Sequence, residues 1–235
     1  MKARILFFGL AFIAVAYLKA QELKIPLPID FFQYSNSSGA IYEFPVTRIW
    51  GWSRTGKVAY SIEREVAGRG GQKIDFAVFD TVTDEVVLSF GIDTFDLDVN
   101  NAASEYAYNL LKNRIFDAIK EHNIIEGTSD FQPFPINKNN MVYNCSVTNF
   151  EYSADEFFFN DNISSYTVVV IANGRTKIIN TFKSDAMTRG IYICGYILSP
   201  FENRALIILA EENFVFEGTE IFYVFAGCHL GIGFN

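Results

Sequence analysis

The chain is 235 residues long and half apolar, with 27 acidic against 19 basic side chains and a formal charge of −8. An acidic chain without a basic run is repelled by polyphosphate backbones and by anionic bilayers, which sets nucleic acid aside as a partner. The 24 Phe and 12 Tyr exclude disorder and favour strands, whose pleated, half-buried surface suits aromatic rings.

Residues 1–20 have the order of an export signal. Lys2 and Arg4 precede an unbroken apolar run from Ile5 to Leu18, and Ala20 supplies a small residue before Gln21. That run fits a signal core of roughly 7–15 residues and is short of the roughly 18 that a spanning helix needs. The reading places the protein in a periplasmic or secreted setting. No cysteine follows the run, so no membrane anchor is expected after cleavage. Removing Lys2, Arg4 and Lys19 with no acid makes the mature chain more acidic still.

From Leu23 to Pro28 the two prolines read as extended chain able to serve as a sheet edge. Asn36-Ser37-Ser38-Gly39 is a turn, and Ala40–Val46 a short strand. A recurring unit follows: an apolar stretch ending in Ser, a tight turn, and a second apolar stretch. It occurs at Ile49–Ser53 with Lys57–Ile62, less well at Phe150–Ser153 with Phe157–Phe159, and at Cys194–Ser199 with Arg204–Leu209. Gly56 and Asn203 stand where such a hairpin wants a left-handed residue. Further strands read at Ile74–Asp80, Glu85–Phe90, Tyr166–Ile171, Thr176–Phe182 and Ile221–Gly227. The turn Asn173-Gly174 is the sharpest hairpin signal, since type I′ geometry needs positive φ at both positions.

One helix, 102–121, carries its apolar stripe at Tyr106, Ala107, Leu110, Leu111, Ile115, Ala118 and Ile119. The sequence thus divides into a signal at 1–20, an N-terminal β-meander lobe at 21–125 that includes the helix, a Pro- and Asn-rich connector at 126–140, and a C-terminal meander lobe at 141–235. The fold class expected is mainly β: antiparallel meanders forming a sandwich or an open propeller-like sheet stack, with one inserted amphipathic helix.

The unit at Trp52–Tyr60, with its Ser-x-x-Gly-Lys spacing, resembles the hairpin of TolB-type and related β-propeller repeats. The fuller arrangement, with the helical middle, the closing Leu198-Ser199-Pro200 hairpin and Phe216-Glu217-Gly218-Thr219-Glu220, resembles an uncharacterised family of predicted secreted bacterial proteins. The resemblance implies a β-meander fold and export, and brings no activity with it. Three meanders are fewer than the four to eight blades of a closed propeller, hence the open stack.

Catalytic motifs are missing. Neither His122 nor His229 has a nucleophile elbow beside it, no G-x-S-x-G occurs, and Gly68, Gly70 and Gly71 lack the Lys-Ser/Thr of a phosphate loop. Cys145, Cys194 and Cys228 show no metal spacing and read as small buried hydrophobes. Cys194 and Cys228 fall on non-adjacent strands, so no bond between them is expected. No cofactor is expected, with calcium as the one candidate metal. Asp93, Asp96, Asp98 and Asn100 precede the helix with the alternation of a calcium loop, without its sixth-position Gly or twelfth-position Glu; acids at a helix N-terminus account for the same cluster. Phe31, Phe32, Phe131 and Phe134 stand in apparent loops, where exposed rings would form a ligand or partner surface, or else cover sheet edges and pin the connector.

These readings describe an exported, non-enzymatic envelope or secreted protein that binds a protein partner or a cell-surface ligand. A secreted carboxylate-dependent hydrolase and a small outer-membrane barrel are the alternatives. The helix and the continuous apolar run Ala205–Ala210 argue against the barrel, whose strands should alternate.

Overall fold

A computed structural model describes residues 23–31, 42–65, 71–97, 104–127, 130–153, 162–184, 187–215 and 218–235. The signal segment, the middle of the glycine-rich loop and the turn of the second repeat unit lie outside them. In chain order the strands are β1 (Tyr42–Glu43), β2 (Val46–Trp52), β3 (Lys57–Glu65), β4 (Gln72–Asp80) and β5 (Glu85–Asp93). The helix α1 (Ser104–Glu121) comes next, then β6 (Ile125–Glu126), β7 (Phe131–Gln132), β8 (Ile136–Lys138), β9 (Met141–Ser153) and β10 (Asn162–Ala172). The last strands are β11 (Arg175–Lys183), β12 (Thr188–Leu198), β13 (Arg204–Val215) and β14 (Gly218–His229).

They form three open sheets, ordered β5-β4-β3-β2-β6, β1-β14-β13-β12-β7 and β11-β10-β9-β8, and every pairing is antiparallel except that of β1 with β14. None closes on itself, which corrects the barrel alternative. The mainly β, antiparallel meander class with one helix is the observed architecture.

Side-chain alternation stacks the layers. On β4, Ile74, Phe76 and Val78 pack against α1, while Ala77 and Phe79 point the other way. There they meet Leu206, Ile208 and Ala210 of β13 and Ile221, Tyr223 and Phe225 of β14. The opposite face of β13, at Ala205, Ile207 and Leu209, packs on Tyr166, Val168 and Val170 of β10. The order is therefore helix, first sheet, central sheet, outer sheet. The unbroken run Ala205–Ala210 is buried on both faces, as a middle layer requires.

Turn chemistry fixes the hairpins locally. Asn173 and Gly174 have φ of 50° and 75°, and Gly56 has 83°. The Ser53 hydroxyl accepts the amides of Thr55 and Lys57, and the Ser199 hydroxyl those of Phe201 and Glu202. The repeated serine thus satisfies turn amides that the strands leave unpaired. Asn203 is not left-handed, contrary to expectation; its carbonyl accepts the Leu230 amide at 2.9 Å.

The helix runs Ser104–Glu121, the first two residues of the expected span lying outside the described ones, and its buried face is Ala107, Tyr108, Leu111, Ile115 and Ala118. Tyr106 and Leu110 are exposed. The stripe is rotated because the Tyr108 hydroxyl is held at 2.9 Å from Ser61 Oγ, beneath the sheet. The connector at 126–140 runs through all three sheets: β6 pairs with β2, β7 with β12 and β8 with β9. The N- and C-terminal segments share one core between the first and central sheets.

Candidate functional site

Among the described residues, Leu23–Phe31 lies along the open side of β2. Its one bridge is Ile29 to Thr47, with the Ile29 amide donating to the Thr47 carbonyl at 2.8 Å. Two side-chain contacts hold the rest of the segment. Arg48 Nη1 donates to the Pro26 carbonyl at 2.7 Å. Phe31 is buried among Phe131, Tyr223 and Phe225, with ring centroids 5.0, 5.2 and 6.3 Å away. At the far end of β2, β6 pairs with Gly51 and Trp52. Gly51 permits this approach, since a Cβ there would stand 2.2 Å from the Ile125 carbonyl oxygen and its φ is 149°.

Between the bridge at Thr47 and the pairing at Gly51, the outer side of β2 has no strand partner among the described residues at Arg48, Ile49 and Trp50. That interval opens into a groove of about 720 Å³. Lys24–Ile29 form one wall, Ile49 and Trp50 the floor, and Glu126, Gly127 and Asp130 the other wall. The lining is mostly apolar, and exposed Lys24, Glu126 and Asp130 are its charged members.

The floor is rigid for stated reasons. Trp50 Nε1 donates to Ser61 Oγ at 2.9 Å, and Ser61 in turn contacts Tyr108 of the helix. Burial, opposed by the Ser61 bond, pushes the Tyr108 phenol above its ordinary value. Arg48 is fixed from behind by Glu63, 3.6 Å away, whose other oxygen accepts the Ser104 hydroxyl. The chain Ser104–Glu63–Arg48–Pro26 therefore ties the groove wall to the start of α1.

The expected aromatic surface is corrected in part. Phe31 is core, 2 % exposed, and anchors the groove wall. Phe131 and Phe134 are half-buried, on Phe31 and on Tyr196 at 5.0 and 5.3 Å, where they pin the connector. Phe32 lies outside the described residues. Of the calcium candidates, Asp93 ends β5 and its Oδ1 accepts the Phe95 amide at 3.0 Å. Asp96 sits in a short 3-10 turn, Thr94–Leu97; Asp98 and Asn100 lie outside the described residues. No three His, Cys, Asp or Glu side chains cluster among the described residues.

The histidines are apart from the groove. His122 Nδ1 lies 3.4 Å from Lys57 Nζ. His229 Nδ1 accepts the Gly231 amide at 3.0 Å, and burial, then Arg204 and Lys177, pushes its pKa down. The groove residues Arg48, Trp50, Glu126 and Asp130 were not singled out by the sequence. The one available signal was the Leu23–Pro28 extended segment, which marks an edge without saying which strand it lines.

The fold and groove define an antiparallel sheet stack with a partly vacant sheet edge. In comparisons with protein-family models, curated proteins and solved structures, nothing matches the chain.

Proposed function

We propose that the chain is an exported, non-enzymatic binding protein of the envelope or extracellular space, and that the groove on β2 takes an extended segment of a partner protein. The observation that carries this reading is the vacant interval at Arg48–Trp50 within an otherwise paired edge. An added strand there gains main-chain hydrogen bonds for affinity and side-chain pockets for specificity. The apolar lining with Glu126 and Asp130 on its rim fits a partner segment that alternates apolar residues with Lys or Arg. The signal-like order of residues 1–20 supports the export part of the reading.

A photo-cross-linking residue placed at Leu27, 85 % exposed beside the groove, tests it in the native cells. The expected result is one discrete adduct whose cross-linked peptide contains the stated alternation, lost when Glu126 and Asp130 are changed to Lys. No adduct, or the same adducts from a probe at Val87 on β5, would overturn the reading.

A further inference from the structure

The outer edge of β9 is a second open edge, remote from the groove. At 13 residues β9 is the longest strand, and β8 covers it only at Met141–Tyr143. From Asn144 onward no strand among the described residues pairs with that side. Such an edge presents a row of free amides and carbonyls, which proteins ordinarily guard with charges, Pro or a covering segment. Here residues 139–150 contain neither charge nor Pro, although the chain carries −8 overall.

We propose that this edge pairs with itself: two copies of the chain join β9 to β9, antiparallel across a two-fold axis, making one continuous sheet through both. The charge pattern selects the occupant. An acidic chain can meet its own copy only along an uncharged seam, and Asn144–Thr148 is such a seam, whereas a seam for a charged partner would carry the opposite sign. The geometry sets the register. With Ser146 on the axis, Asn144 faces Thr148 of the second copy, and the β8 of each copy, on Met141–Tyr143, bounds the paired run. Asn149, at φ 52° beside a register shift, bulges the strand where it would otherwise meet the second copy's β8.

Sedimentation of the purified chain tests this from low concentration up to about 100 μM, well above a micromolar Kd. The expected result is a reversible dimer, weakened at least about tenfold by Ser146→Lys, which sets two like charges against each other at the axis. The double variant Asn144→Lys, Thr148→Lys, which sets like charges on each facing pair, should weaken it as well, and both variants should keep the wild-type melting transition. Hydrogen exchange on the wild type gives a readout that needs no variant: those alternate amides of 144–148 that point away from β10 should lose protection on dilution in step with the dimer fraction, while those bonded to β10 should not. A monomer throughout, a dimer untouched by both variants, or exchange at the open-side amides of 144–148 independent of concentration would each overturn the proposal.

Discussion

The Asp84 carboxylate, in the turn between β4 and β5, accepts the Gly227 amide of β14 at 2.5 Å, joining the first sheet to the central one across 143 residues of sequence. The same turn lays the Thr81 carbonyl against Gly227, so closely that a Cβ at that position would stand 1.9 Å from the oxygen. Arg204 Nη1 donates to that carbonyl at 2.9 Å and completes the junction.

Gly227→Ala should therefore destabilise the protein by about 3 kcal/mol, at the upper end for overpacking, because backbone and not a flexible side chain must yield. Asp84→Ala should cost about 1–3 kcal/mol by leaving the Gly227 amide unpartnered, and Asp84→Asn should recover part of it. Urea unfolding measures both, and a Gly227→Ala variant as stable as the wild type would refute the close approach.

Glu211 is buried and accepts the Tyr166 hydroxyl at 2.7 Å. Burial raises its carboxyl pKa, against the lowering effect of the Tyr166 bond. A folded pKa above the unfolded one means that folding takes up a proton, so this group's contribution is fully present below the unfolded pKa and is lost as pH rises through the folded value. Glu211→Gln keeps an acceptor for Tyr166 without the charge. It should melt higher than wild type at neutral pH, with the difference vanishing in acid; a constant difference across pH would contradict the buried charge.

Cys194 and Cys228 should remain thiols in the folded monomer. They stand on β12 and β14 with β13 between, and Cys194 packs on the core toward the first sheet while Cys228 packs on the core toward the outer one. Burial above all pushes their pKa values up to about 12 and about 11. Both should react with alkylating reagents at neutral pH only after unfolding. A Cys194–Cys228 cross-link in a non-reducing peptide map of folded monomer would contradict the stacking.

Ser53→Ala and Ser199→Ala each remove an oxygen that accepts two turn amides. Each should cost about 1 kcal/mol in thermal or urea unfolding, and because the two turns touch, with the Arg54 guanidinium 5.0 Å over the Phe201 ring, the double variant should depart from the sum. A double variant no less stable than wild type would show that the repeated serine is not a turn residue.

Elements fixed by local chemistry were legible in the sequence, and those fixed by docking were not. Asn173-Gly174 announces its hairpin because positive φ at two successive residues is a local demand. The helix was legible in length but not in facing: Tyr106 and Tyr108 both fit the period, and only the Ser61 contact chooses between them. The two- and three-residue strands β6, β7 and β8 are too short to show any alternation, so the segment that edges all three sheets reads as a linker. Phe31 reads as a surface ring because nothing within its own segment shows the cluster of Phe131, Tyr223 and Phe225 awaiting it. The groove depends on three such dockings at once.

The strands of the middle layer, β12 to β14, follow those of the first and outer sheets in the chain. Until they arrive, the first and outer sheets each hold an apolar face with nothing to cover it, so neither can settle while the polypeptide is still being extended. Native structure has to wait for these three strands and then form around them, so both flanking layers stay loose until the middle one is made.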